Sequence, residues 1–114
     1  MVPKALDAAQ ELAASGIDCT VVDVRSLVPL DTTTILQEVG ATGRLFTVEE
    51  NPRLCGWGGE LASIVSEEIF YELDGPVVRI TTPHIPLPAA DALEDLAIPS
   101  VERIVTTVTK SMNT

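Results

Sequence analysis

The sequence predicts a three-layer α/β/α fold around a mostly parallel sheet. Three observations lead there. Short β-branched runs, IDCTVVDV (17–24), LFTV (45–48) and VVRIT (77–81), alternate with stretches whose apolar residues recur at the helical period. Gly, Pro, Asp and Asn punctuate the joints between them. The length of 114 residues, 46% of them hydrophobic, suits a single domain over 1–114 with a modest core.

In order, Pro3–Ser15 reads as a helix. Ala5, Leu6, Ala9, Leu12 and Ala13 make one apolar face, Pro3 suits the first turn, and Gly16 is a stop signal. Ile17–Val24 then reads as a strand buried on at least one face. Asp31 looks like the N-cap of a short helix over Thr34–Val39, bounded by Gly40 and Gly43. Leu45–Val48 is the second strand, followed by a turn at Asn51-Pro52 and a glycine loop at Gly56, Gly58 and Gly59. Glu60–Leu73 has the clearest helical pattern, with Leu61, Ile64, Val65 and Ile69 on one face. Glu68 and Glu72 interrupt that face. Val77–Thr81 is the third strand. Residues 82–99 carry four prolines and read as ordered loop, with a short helical piece at Ala89–Leu96. Ser100 caps a final helix over Val101–Val108 without a capping box, because Arg103 stands where Glu or Gln would be needed. The order α-β-α-β-α-β-α opens on a helix. The strand that should precede it is missing, so Met1 is expected to lie inside a larger α/β domain.

Charge limits the partners. The formal net charge is −10 and the pI is near 4.2. A phosphate backbone needs Lys and Arg, so nucleic acid and anionic membranes are poor partners; a basic protein is a good one. No apolar run approaches the ~18 residues of a membrane span. Two cysteines, Cys19 and Cys55, and a single histidine do not make a zinc site or a disulfide framework. A reducing, cytoplasmic compartment is expected.

The chemically unusual residues gather in LFTVEENPRLCGWGGEL (45–61). Glu49 and Glu50 are adjacent on a strand and so point to opposite faces. One is expected to bond the glycine loop and the other to face solvent; a general base is the competing role. The glycines match neither a P-loop nor a dinucleotide fingerprint, which leaves tight turning and close packing. Trp57 is expected to be exposed or an interface anchor. His84, between prolines in TTPHIPLP, has no Ser or Cys nucleophile motif to serve. Cys19 reads as a small core residue.

The segments DVRSLVPLD (23–31), GRLFTVEENPRLCGWGGELAS (43–63) and DGPVVRITTPHIPLPAADALEDLAIPSVERIV (74–105) together resemble one family. It is the C-terminal domain of the β subunit of 2-oxo acid dehydrogenase E1 components, within the transketolase-like, thiamine-diphosphate-dependent enzymes. The resemblance implies a transketolase C-terminal-like fold lacking its first parallel strand, which in the family precedes the helix at Pro3. It implies that the whole enzyme decarboxylates a 2-oxo acid on thiamine diphosphate and Mg2+ and passes the acyl group to a lipoyl group. The cofactor would lie between the α subunit and the N-terminal part of the β subunit, with no cofactor, metal or catalytic residue in this domain. The implied partners are the E1 α subunit, a second β subunit and the small basic binding domain of the E2 acyltransferase. Glu67 and Glu68 are the residues chosen for that docking, with Trp57 and His84 as further contacts. The location would be cytoplasmic, or the mitochondrial matrix in a eukaryote. Pyruvate, branched-chain 2-oxo acids and acetoin all remain open as substrates.

Two other classes compete. A free-standing acidic α/β interaction module would bind a basic domain with strong salt dependence. A small independent enzyme would need Glu49, Glu50 or His84 in a cleft with a shifted carboxylate.

Overall fold

A computed structural model describes residues 1–25, 29–52, 56–82 and 98–113. Its elements are α1 (Val2–Ala14), α2 (Thr32–Thr42), β1 (Phe46–Pro52), α3 (Trp57–Ile69), a 3-10 turn (Phe70–Glu72), β2 (Val78–Thr82) and α4 (Val101–Met112). β1 and β2 are parallel, with Phe46 opposite Val78 and Val48 opposite Ile80. A parallel pair needs a crossover, and α3 supplies it.

Helices cover both faces of this sheet. On one side Ala8 and Leu12 of α1 and Ile104 and Val108 of α4 bury Ile80, with Phe46 and Val48 packed against them. On the other, Ile35 and Val39 of α2 meet Leu61 and Val65 of α3, flanked by Leu45, Trp57 and Val77. The strand period of two sends Phe46 and Val48 to the first cluster and Thr47 and Glu49 to the α3 side.

Local chemistry explains the ends. Asp31 caps α2 by accepting from the Thr34 backbone N–H at 3.1 Å and from its hydroxyl at 2.7 Å. Those two hydrogen bonds hold the Asp31 carboxyl below its ordinary range. α2 closes at Gly43, whose φ of 78° lies in the left-handed region glycine favours. Ser100 caps α4 by accepting from the Arg103 N–H at 3.1 Å. Arg44 donates to the Ser111 carbonyl at 3.0 Å, tying the end of α4 to the start of β1.

Four expectations need correction. Residues 17–24 form no regular element and join no strand ladder among the described residues. Their inward side chains do alternate: Ile17 and Cys19 pack against the α1–α4 cluster. β-branched residues suit a pleated, half-buried surface, but a ladder needs a neighbouring edge. Second, Asn51-Pro52 is not a turn, since β1 runs through Pro52, which pairs with Thr82 after an irregularity in register. Third, α3 begins at Trp57, three residues earlier than the pattern suggested, so Gly58 and Gly59 are helical rather than loop. Fourth, Gly40 lies inside α2, which extends over Thr32–Thr42. The α4 helix also outlasts its expected end, reaching Met112. The helical piece expected at Ala89–Leu96, His84 and Cys55 lie outside the described residues.

Candidate functional site

The polar side chains concentrate where β1 and β2 run beneath the first turn of α3. Glu49 is 1% exposed and pairs with the Arg79 guanidinium, Nη2 to Oε1, at 3.2 Å. Thr47 Oγ1 stands 3.5 Å from the same carboxylate oxygen. Gly58 lies directly above: a Cβ built there would collide with Glu49 Oε1 and come within 2.7 Å of Thr47 Oγ1. Only glycine permits this approach of helix to carboxylate. The position beneath a helix N-terminus also favours negative charge. A buried carboxylate held by a guanidinium is a structural acid, not a free base or an open metal ligand. Glu50 is exposed and lies 3.6 Å from the Met1 ammonium. The expected split of the two acids between opposite faces is therefore observed.

The buried Glu49 carboxylate is already committed to Arg79. Among the described residues, no cluster of three or more His, Cys, Asp or Glu side chains could hold a metal ion.

The second feature is a surface. Beyond α3 the chain tightens into the 3-10 turn, and Phe70 and Tyr71 stand out at 57% and 98% exposure. Their rings meet edge to face, with centroids 5.4 Å apart. Glu67, Glu68, Glu72 and Asp74 are exposed around them in sequence. Beside the pair runs an open groove lined in part by Ala62, Ser66, Leu73 and Pro76. Large aromatic surface with an acidic rim is the composition of a contact patch rather than of an isolated exposed residue. Glu72 also approaches α2, since a Cβ on Gly40 would sit 3.5 Å from its carboxylate.

The residues singled out in the sequence divide accordingly. Glu67 and Glu68 are exposed on the last turns of α3 beside this aromatic pair. Glu68 therefore makes no inward polar contact, although the helical pattern put it on the apolar face. Trp57 is half-buried against the α2–α3 cluster. It is the first residue of α3, so it lies about 15 Å along the helix from Glu67. Phe70, Tyr71 and Arg79 were not singled out from the sequence, whereas close packing at the glycines was, and Gly58 shows it. An Arg inside VVRIT and adjacent aromatics in FYELDG were the available signals.

The transketolase C-terminal domain family matches the chain over residues 1–104. The chain belongs to that family. Among its relatives is the pyruvate dehydrogenase E1 component subunit β of Rickettsia felis, 45% identical over 96% of this chain and 33% of its own length. The β subunit of an acetoin:2,6-dichlorophenolindophenol oxidoreductase from Cupriavidus necator is 39% identical over 98% of this chain and 33% of its own length. A mitochondrial pyruvate dehydrogenase E1 subunit β from Ascaris suum is 42% identical, again over 98% of this chain and 31% of its own. A solved split-gene transketolase, an inactive β4 tetramer, superposes with a TM-score of 0.81 at 31% identity. That match covers 98% of this chain and 35% of the other. The chain thus spans about a third of the length of the curated relatives it matches. No helix among the described residues is long and apolar enough to cross a membrane.

Proposed function

We propose that this chain is the C-terminal domain of the β subunit of a thiamine-diphosphate-dependent 2-oxo acid dehydrogenase E1. There it serves subunit association and docking of the E2 acyltransferase. The observation that carries this is its similarity, over nearly the whole chain, to β subunits of pyruvate dehydrogenase and acetoin oxidoreductase. The whole enzyme would decarboxylate a 2-oxo acid on thiamine diphosphate with Mg2+ and transfer the acyl group to a lipoyl disulfide. The present residues would take no part in that chemistry. They would face the E1 α subunit, a second β subunit and the small basic binding domain of E2, in a cytoplasmic or mitochondrial-matrix enzyme.

The docking surface is assigned to Glu67 and Glu68 with Phe70 and Tyr71 between those acids and Glu72. A net charge of −10 supports attraction of a basic domain. The aromatic pair would supply the contact that excludes water. Trp57 and His84 are carried as further contact residues, His84 from the sequence alone.

The test is titration of the assembled E1 with the isolated E2 binding domain by calorimetry. Binding should weaken as salt rises, and Tyr71→Ala should cost about tenfold or more in Kd. Glu67→Lys with Glu68→Lys should slow association while decarboxylation with an artificial acceptor stays unchanged. Wild-type affinity in these variants would remove the surface from docking. A β subunit that supports no decarboxylation with any α partner would remove the larger assignment and leave an acidic interaction module.

A further inference from the structure

The link between the 3-10 turn and β2 is anchored at both ends and bare between them. At one end the Asp74 N–H donates to the Gly43 carbonyl at 2.6 Å, and at the other the Val78 N–H donates to the Leu45 carbonyl at 3.1 Å. Asp74 and Gly75 form a bend outside any helix or strand, and Asp74 is exposed. The Asp74 carboxylate lies against Gly43, where an added Cβ would collide with it. That carboxylate makes no hydrogen bond or ion pair among the described residues. The Gly75 N–H donates to no backbone carbonyl there either.

These are the conditions for a reaction within the chain. Asp74-Gly75 is the only place in the 114 residues where glycine follows Asp or Asn. The nitrogen that follows any Asp stands close to its side-chain carboxyl carbon. Ring closure between the two is hindered by a Cβ on the following residue and by hydrogen bonds that hold either group. Glycine removes the first obstacle, and the second is absent at this bend. The nitrogen must also give up its proton. The Arg44 guanidinium lies against Gly75, since a Cβ there would sit 3.0 Å from Nη1. A neighbouring cation favours the deprotonated nitrogen. Arg44 is itself held in place by donating to the Ser111 carbonyl at 3.0 Å.

We propose that Asp74 is a site of spontaneous isomerisation to isoaspartate in the folded chain, assisted by the Arg44 guanidinium. The Gly75 nitrogen attacks Cγ of the Asp74 carboxylic acid. The N–Cγ bond forms, a C–O bond breaks, and the hydroxyl leaves as water with the proton released by nitrogen. The product is a cyclic imide, which one water then opens. Addition at Cγ restores Asp74. Addition at the main-chain carbonyl carbon breaks its bond to the Gly75 nitrogen and leaves the chain running through Cγ. Water lost equals water regained, and nothing is oxidised or reduced. The main chain between the two anchors becomes one methylene longer, and the free carboxylate moves to the α carbon. The bend also borders the groove beside Phe70 and Tyr71, but the inference rests on the bend alone and is independent of any role in E2 docking.

The chain is incubated at neutral pH, folded or in urea. Isoaspartate is read as methyl groups accepted from S-adenosylmethionine in the presence of a protein isoaspartyl methyltransferase, and is placed by peptide mass spectrometry. Cooperative urea unfolding checks the fold of each variant. Methyl acceptance should grow with time in the folded chain and map to the peptide holding Asp74, with no change of mass. Asp74→Glu, which would need a larger ring, should lose it. Gly75→Ala should lose most of it; the nearest atoms to the added Cβ belong to the flexible Arg44 side chain, so the fold should persist. Asp74→Asn should gain it faster, because a neutral amide does not repel the nucleophile as an ionised carboxylate does. Arg44→Gln should slow the folded chain and leave the unfolded chain unchanged. The isomerised fraction, separated and refolded, should melt below the parent. Acceptance in the folded chain no greater than in Asp74→Glu overturns the proposal. Acceptance that maps to other aspartates, that arises only in urea, or that is unchanged in folded Arg44→Gln overturns it too.

Discussion

Gly58 offers the sharpest perturbation of the polar centre. In an ordinary helix, Gly→Ala stabilises by up to ~1 kcal/mol. At Gly58 the added methyl would occupy the space of the Glu49 carboxylate. Either α3 lifts from the sheet, an overpacking cost of ~1–3 kcal/mol, or Glu49 leaves Arg79, and breaking a buried pair costs ~3–5 kcal/mol. The cheaper route dominates, so after the helical gain Gly58→Ala should destabilise by ~1–2 kcal/mol. Gly59 is the internal control. It is next in the same helical turn, but the nearest atoms to its added Cβ belong to the Arg79 guanidinium, Nη1 at 3.4 Å. Gly59→Ala should therefore be neutral or stabilising. Urea unfolding followed by Trp57 fluorescence measures both. Opposite signs for the two glycines support the packing of α3 onto Glu49; a Gly58→Ala variant as stable as Gly59→Ala would refute it. The double variant Gly58→Ala, Glu49→Ala should lose less than the two single variants together, because removing the carboxylate makes room for the methyl.

Arg79→Met should destabilise by ~3–5 kcal/mol, since it removes the guanidinium partner of the Glu49 carboxylate, which is 0% exposed in its side chain; urea unfolding reads this. Asp31→Ala should lower the thermal midpoint through loss of the α2 cap. Asp31 titrates below its ordinary range in the folded chain, so its stabilisation is full above that ordinary range and is lost as pH falls through the folded value. The wild-type advantage over Asp31→Ala should therefore disappear in strong acid, as thermal melts across pH would show. Leu12→Ala, at 2% exposure beneath the sheet, should cost ~2–5 kcal/mol. Tyr71→Ala, at 98% exposure, should change stability by less than ~0.5 kcal/mol, which separates contact residues from core residues in a single set of melts.

Most element types were legible because they depend on neighbours in sequence. The apolar spacing of Ala5, Leu12, Ile104 and Val108, the Asp31 and Ser100 caps and the β-branched runs at β1 and β2 act within a few residues. The alternation of Glu49 and Glu50 follows from the strand period alone. The family was legible too, because its motifs are continuous stretches of the chain. The start of α3 was not, because glycine weakens any local helical signal; Gly58 is helical because α3 must settle onto Glu49 across the chain.

What the sequence by itself determined is thus the helices and the two paired strands, the acidic charge and the family. Tertiary structure alone decided that Glu49 is a buried partner of Arg79, thirty positions away, and that Phe70 and Tyr71 face outward. It also decided that residues 17–24, as rich in β-branched residues as β1, join no ladder among the described residues. The physical reason is common to all three. Conformation along the chain is set by local sterics and hydrogen bonding, whereas burial, charge pairing and strand partnership are set by which surfaces meet across it.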